Sequence, residues 1–103
     1  MEKEETILKL IEKLHKIIDF PLFENIDYWE ADLCAIGLKR GNKLVYISTW
    51  NYVSKKYKNN EISYDFDFEI IDESNIEKIN VARIGRNISE TELINEVKLF
   101  LEI

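Results

Sequence analysis

The chain has 103 residues, of which 46% are hydrophobic, with two tryptophans, five tyrosines and five phenylalanines, and this composition argues against disorder and predicts one domain over residues 1–103. Twenty acidic against 14 basic residues give a net charge of −6, which disfavours nucleic acid and anionic membranes and favours a basic partner. A single cysteine excludes an intramolecular disulfide, and without a signal peptide or an apolar run of about 18 residues we expect a cytoplasmic protein.

A first helix is predicted over Glu2–Asp19, because apolar residues recur there at spacings of three and four, and Pro21 ends it. The apolar stripe consists of Ile7, Leu10, Ile11, Leu14, Ile17 and Ile18. We expect it to dock on a sheet, while an amphipathic helix that binds a partner remains an alternative.

Two strands are predicted next, one from near Trp29 to about Lys39 and one over Leu44–Asn51. Between them, Arg40-Gly41-Asn42 is typical of a hairpin turn, since glycine accepts positive φ. The second strand is apolar on both faces. It is therefore either a central strand covered on both sides or a strand whose outer face meets a partner.

A third strand over Glu61–Ile71 shows the clearest alternation in the chain. One face carries Ile62, Tyr64, Phe66, Phe68 and Ile70, and the other carries Ser63, Asp65, Asp67 and Glu69. A fourth strand over about Lys78–Ile84 is weaker and carries charges typical of a sheet edge. The sequence 85–87, Gly-Arg-Asn, is expected to end it.

The last helix is predicted to begin after Ser89, which forms a capping box with Glu92. The expected fold is α+β, with a four-stranded antiparallel sheet and the N- and C-terminal helices packed on one face. The residues expected to share the core are Ile11, Leu14, Phe66, Phe68, Val97 and Phe100.

Residues that carry chemistry are sparse. Three isolated glycines make no phosphate-binding loop, and His15 has no accompanying nucleophile motif. Asp65, Asp67 and Glu69 are spaced about 7 Å apart along a strand, which makes a line rather than a metal cage or a catalytic cleft. We therefore predict no enzyme activity, no catalytic residues, no metal site and no cofactor.

The sequence favours a protein-binding module that uses the outer face of the sheet. If Val45 and Ile47 face the helices, then Tyr46, Trp50 and Tyr52 face outwards beside Asp65, Asp67 and Glu69. Aromatic anchors in an acidic setting suit a basic protein partner, and these six residues are the predicted contact set. The opposite phase, which would bury Tyr46 and Trp50, remains open at this point.

The chain resembles the small acidic immunity proteins that bacteria encode beside polymorphic or contact-dependent toxins. The resemblance lies in a short acidic α+β chain, in the strand Asp65–Glu69 and in the aromatic run Tyr46–Trp50. It implies inhibition of a cognate toxin, often a basic nuclease. The alternatives are a structural or chaperone-like homo-oligomeric subunit, and a small-ligand pocket near Trp29, Trp50 and Tyr52. The chain is expected to be a monomer or a homodimer.

Overall fold

The computed structural model describes residues 3–17, 33–54, 61–72, 74 and 79–103. The elements in chain order are α1 (Glu5–Ile17), β1 (Ala35–Arg40), β2 (Lys43–Ser48), α2 (Trp50–Val53), β3 (Tyr64–Ile71), β4 (Ile79–Ile88) and α3 (Glu90–Leu101). The four strands form one antiparallel sheet in the order β1-β2-β3-β4. This is the predicted α+β architecture.

The hairpin between β1 and β2 forms where the sequence predicts it. Arg40 pairs with Lys43, so the loop consists of Gly41 and Asn42 alone. Gly41 has φ +59°, the left-handed conformation that favours glycine in two-residue hairpin loops.

Both long helices pack on the same face of the sheet, which we call the inner face. Val45 lies opposite Phe68 and Ile47 opposite Phe66, so the aromatic side of β3 continues across β2. The buried core combines these residues with the stripes of the helices: Ile7, Leu10 and Leu14 from α1, and Leu93, Val97 and Leu101 from α3. Ile11 and Phe100 pack against it while partly buried, so the predicted core is confirmed.

Side-chain hydrogen bonds stabilise both ends of α3. Ser89 Oγ accepts a hydrogen bond of 3.2 Å from the Glu92 amide, as expected of an N-cap. At the other end, Arg40 Nη1 and Lys43 Nζ from the hairpin donate to carbonyl oxygens of the last turn, at 3.2 and 2.7 Å. Cations there complement the negative end of the helix dipole.

The predicted bounds of the first three strands differ from the structure, and the third strand begins at Tyr64 rather than at Glu61. The first strand begins at Ala35, since Leu33 and Cys34 form a turn. Trp29, near which this strand was predicted to begin, lies outside the described residues, as does Pro21, which was predicted to end the first helix. The second strand ends at Ser48, because Trp50–Val53 turns into a short helix. The expectation that Trp50 and Asn51 extend this strand was wrong.

The fourth strand is longer than predicted. Residues 85–87 do not end it, and β4 continues to Ile88 through an irregularity in which Arg86 and Asn87 lie opposite one residue of β3. Asn87 takes φ +53° there, a left-handed conformation that asparagine tolerates better than most residues. Gly85 and Asn87 are typical of a turn, but here they lie in or beside a bulge of β4.

The outer face of the sheet is not uniformly exposed. On its β1–β2 half, Ala35 and Leu44 are fully buried. On its β3–β4 half, Val81 and Ile84 are more than half exposed. The outer face of β2 is thus covered at Leu44 and Ser48, whereas Tyr46 between them is only half-buried.

Candidate functional site

A pocket of about 160 Å³ opens on the outer face, where β2 ends beside β3 and β4. Its described lining residues are Tyr46, Ser48, Trp50, Asn51, Asp65, Phe66, Asp67 and Arg86. Four of the six predicted contact residues therefore come together: Tyr46, Trp50, Asp65 and Asp67. Glu69 lies one outward position further along β3, and Tyr52 is not part of the lining.

The phase of β2 places Tyr46 as the sequence analysis favoured. Tyr46 lies opposite Asp67 in the ladder between β2 and β3, whereas Val45 and Ile47 enter the core. Tyr46 is half-buried, so part of the ring remains accessible at the pocket.

The short helix α2 sets the position of Trp50. Thr49, just before it, is buried and donates its amide to the Cys34 carbonyl at 2.9 Å. The Trp50 amide donates to Ser48 Oγ at 3.1 Å, which satisfies one free N–H at the start of the helix. The chain therefore turns immediately after β2, and the Trp50 residue remains 56% exposed.

Asp65 is buried, which differs from the open acidic row expected from the sequence. It is only 7% exposed. Its carboxylate accepts hydrogen bonds from Asn51 Nδ2 at 2.5 Å and from the Asn87 amide at 3.0 Å. One side chain thus ties α2 to the bulge of β4, and little of it is accessible to a partner.

Asp67 meets the one cation of the described pocket lining, Arg86. Arg86 Nη1 lies 2.8 Å from Asp67 Oδ1, but this nitrogen donates its hydrogen bonds to the carbonyl oxygens of Phe66 and Gly85, at 2.9 and 2.8 Å. A terminal guanidinium nitrogen carries two hydrogens, so the contact with Asp67 is electrostatic. Asp67 Oδ1 is enclosed and accepts no hydrogen bond from the described residues.

Glu69 is the third carboxylate of the row and interacts electrostatically with Asp67. Partial burial raises the pKa of Glu69, and the negative charge of Asp67 raises it further. Although Arg86 is close, Asp67 still presents negative charge to its surroundings. Within the row of Asp65, Asp67 and Glu69, the more accessible carboxylates are therefore those of Asp67 and Glu69.

Tyr52 is separated from the other predicted contact residues. It lies near Tyr64, whose pKa is raised to about 12 by burial first, and then by the charges of Glu90 and Tyr52. Tyr64 belongs to the core packed under the helices. Tyr52 was predicted to face outwards because side chains alternate along a strand. Tyr52 lies in α2 instead, so this alternation does not apply to it.

Three polar residues of the pocket lie outside the predicted contact set: Ser48, Asn51 and Arg86. Ser48 and Asn51 were assigned to the second strand, and Arg86 to a turn. Only Arg86 offered a signal, since a cation beside an acidic strand suits a cross-strand pair.

No protein-family model, no curated protein and no solved structure matches this chain. Within the described residues, His, Cys, Asp and Glu side chains form no group of three or more that could hold a metal ion. None of the helices in the described part of the chain combines the length and the apolarity needed to cross a membrane.

Proposed function

We propose that this chain is a non-catalytic protein-binding module that recognises a basic protein surface. The contact area centres on Tyr46, Trp50, Asp67 and Glu69, which we call the acidic–aromatic surface. Asp65 supports this surface from beneath by holding α2 and the β4 bulge together.

The observation that carries the proposal is the pairing of Trp50 with Asp67 at one pocket. A tryptophan exposed by 56% is a costly feature on a monomer and a frequent anchor in protein interfaces. Beside it, the Asp67 side chain is about one-third exposed. A lysine or arginine from a partner would contact the accessible part of this carboxylate and supply a cation to the indole face.

Charge supports the same class of partner. The chain carries −6, and Asp67 and Glu69 concentrate part of this charge beside aromatic surface. A basic protein would be steered towards this face, and the association rate would fall as salt screens the attraction.

The biological role that fits is that of a cytoplasmic immunity protein, which binds and inhibits a cognate bacterial toxin such as a basic nuclease. This role rests on the general resemblance described above. The first partner to test is therefore the protein encoded beside the gene for this chain.

The test compares association rates of that protein with two charge variants by stopped-flow fluorescence at low and high salt. Asp67→Asn with Glu69→Gln changes the net charge from −6 to −4 at the proposed surface. Glu5→Gln with Glu12→Gln makes the same change on exposed positions of α1 and is the matched control.

We expect the surface variant to associate several-fold more slowly at low salt and the control to stay close to the unmodified protein. At high salt the difference should shrink. Equal slowing by the two variants would show that only the net charge matters, and the proposed surface would be wrong.

A further inference from the structure

The sheet has one edge that is open and one that is enclosed. Residues 79–84 of β4 are all exposed, as are Arg86 and Asn87. In β1, at the opposite edge, residues 35–38 are all buried. A ten-residue edge strand such as β4 presents a row of backbone N–H and C=O groups that another strand can pair with.

Apolar surface flanks this open edge on both faces of the sheet. On the outer face, Ile79 is 43%, Val81 57% and Ile84 55% exposed. On the inner face, a groove of about 420 Å³ runs between α3 and β4, with Leu99 at its side, 74% exposed. A strand added to β4 would bury apolar side chains in both directions, as alternation requires.

Both arginines of β4 contact a carboxylate within the chain. Arg83 Nη2 donates to Glu96 Oε1 at 3.0 Å, and Arg86 contacts Asp67 at 2.8 Å. The strand carries no carboxylate, so the basic partner proposed for the acidic–aromatic surface would meet only arginines here. A copy of the same strand brings its own compensated arginines and no unpaired charge.

We propose that β4 pairs antiparallel with β4 of a second copy of this chain, joining two sheets into one eight-stranded sheet. Since residues 35–38 of β1 are buried, β4 is the edge of the described sheet that is open to pairing, and the assembly closes as a two-fold dimer. A ten-residue strand spans at most about 34 Å, which gives the two copies an extended shared edge.

The proposal is independent of the partner-binding role and differs from it in salt dependence. Two copies of charge −6 repel each other at long range, so self-association should strengthen as salt rises. Binding of a basic partner should weaken instead. The two interactions are therefore distinguishable in one buffer series.

Sedimentation equilibrium from about 1 μM to about 1 mM chain tests the proposal, with Val81→Lys as the disrupting variant. Leu8→Lys is the matched control, since it places the same charge on an exposed apolar position of α1. We expect a dimer for the unmodified chain and for Leu8→Lys, with dimerisation at least tenfold weaker for Val81→Lys.

Amide hydrogen exchange on the unmodified chain gives a second test that needs no variant. Amides of residues 79–88 should become protected as the concentration rises through the dimerisation range. A monomer at every concentration would overturn the proposal. So would a dimer that leaves these amides unprotected or that Val81→Lys does not weaken.

Discussion

Replacing Asp65 by alanine should destabilise the fold far more than the same change at Asp67, two positions along the same strand. The Asp65 carboxylate is buried and accepts hydrogen bonds from the Asn51 side chain and the Asn87 amide. Asp67 is about one-third exposed at its side chain, and its one ion pair among the described residues is the contact with Arg86.

The magnitude follows from these contacts. A hydrogen bond to a charged group contributes about 1.5–3 kcal/mol, and Asp65→Ala removes two such bonds. Asn87 is exposed and Asn51 half-buried, so water recovers part of the loss, and we expect about 3 kcal/mol. For a domain of this size that lowers Tm by roughly 12–24 °C. Asp67→Ala removes a half-exposed ion pair and should cost at most about 1 kcal/mol.

Urea unfolding followed by circular dichroism measures both free energies of unfolding, and differential scanning calorimetry gives the two Tm values. Asp65→Asn is a useful third variant, since it keeps one acceptor oxygen and should fall between alanine and the unmodified protein. If Asp65→Ala and Asp67→Ala lost equal stability, the assignment of Asp65 to a structural role and of Asp67 to the accessible surface would be refuted.

Three further changes test local features. Gly85→Ala should cost about 1–3 kcal/mol in urea unfolding, because the new Cβ would clash with the buried ring of Phe66, most closely at Cε2; an unchanged unfolding midpoint would contradict this packing. Ser89→Ala should cost about 1 kcal/mol by the same assay, through loss of the N-cap of α3, and Ser89→Gly only a few tenths. Glu69→Gln should raise Tm at neutral pH. Burial and the charge of Asp67 raise the pKa of Glu69 in the fold, so folding favours the protonated carboxyl. This contribution to stability is lost as pH rises through the folded pKa. Calorimetry at about pH 3, where the carboxyl is protonated in both states, should show no difference, and a gain that persisted there would need another cause.

The elements that depend on interactions between neighbouring residues could be predicted from the sequence. The alternation of β3 fixed which face holds Phe66 and Phe68, and the spacing in α1 identified the residues that pack on them. Ser89 and Gly41 marked a helix start and a hairpin loop, because capping and positive φ are properties of a few neighbouring residues.

The candidate site was only partly predictable, because its decisive contacts join residues far apart in sequence. Asp65 accepts hydrogen bonds from Asn51 and Asn87, which are 14 and 22 positions away. In the sequence alone it is indistinguishable from Asp67. The bulge at Asn87 and the helical turn at Trp50 likewise depend on tertiary contacts that override strand propensity.

The central claim is that Trp50 anchors a protein partner at the acidic–aromatic surface. The dissociation rate of the complex with the neighbouring gene product tests it most directly, measured by surface plasmon resonance for Trp50→Ala and for Leu8→Ala, which truncates another exposed apolar residue. An anchor contributing about 2 kcal/mol predicts dissociation about 30-fold faster for Trp50→Ala, with Leu8→Ala close to the unmodified chain. Dissociation of Trp50→Ala at the unmodified rate would contradict the claim.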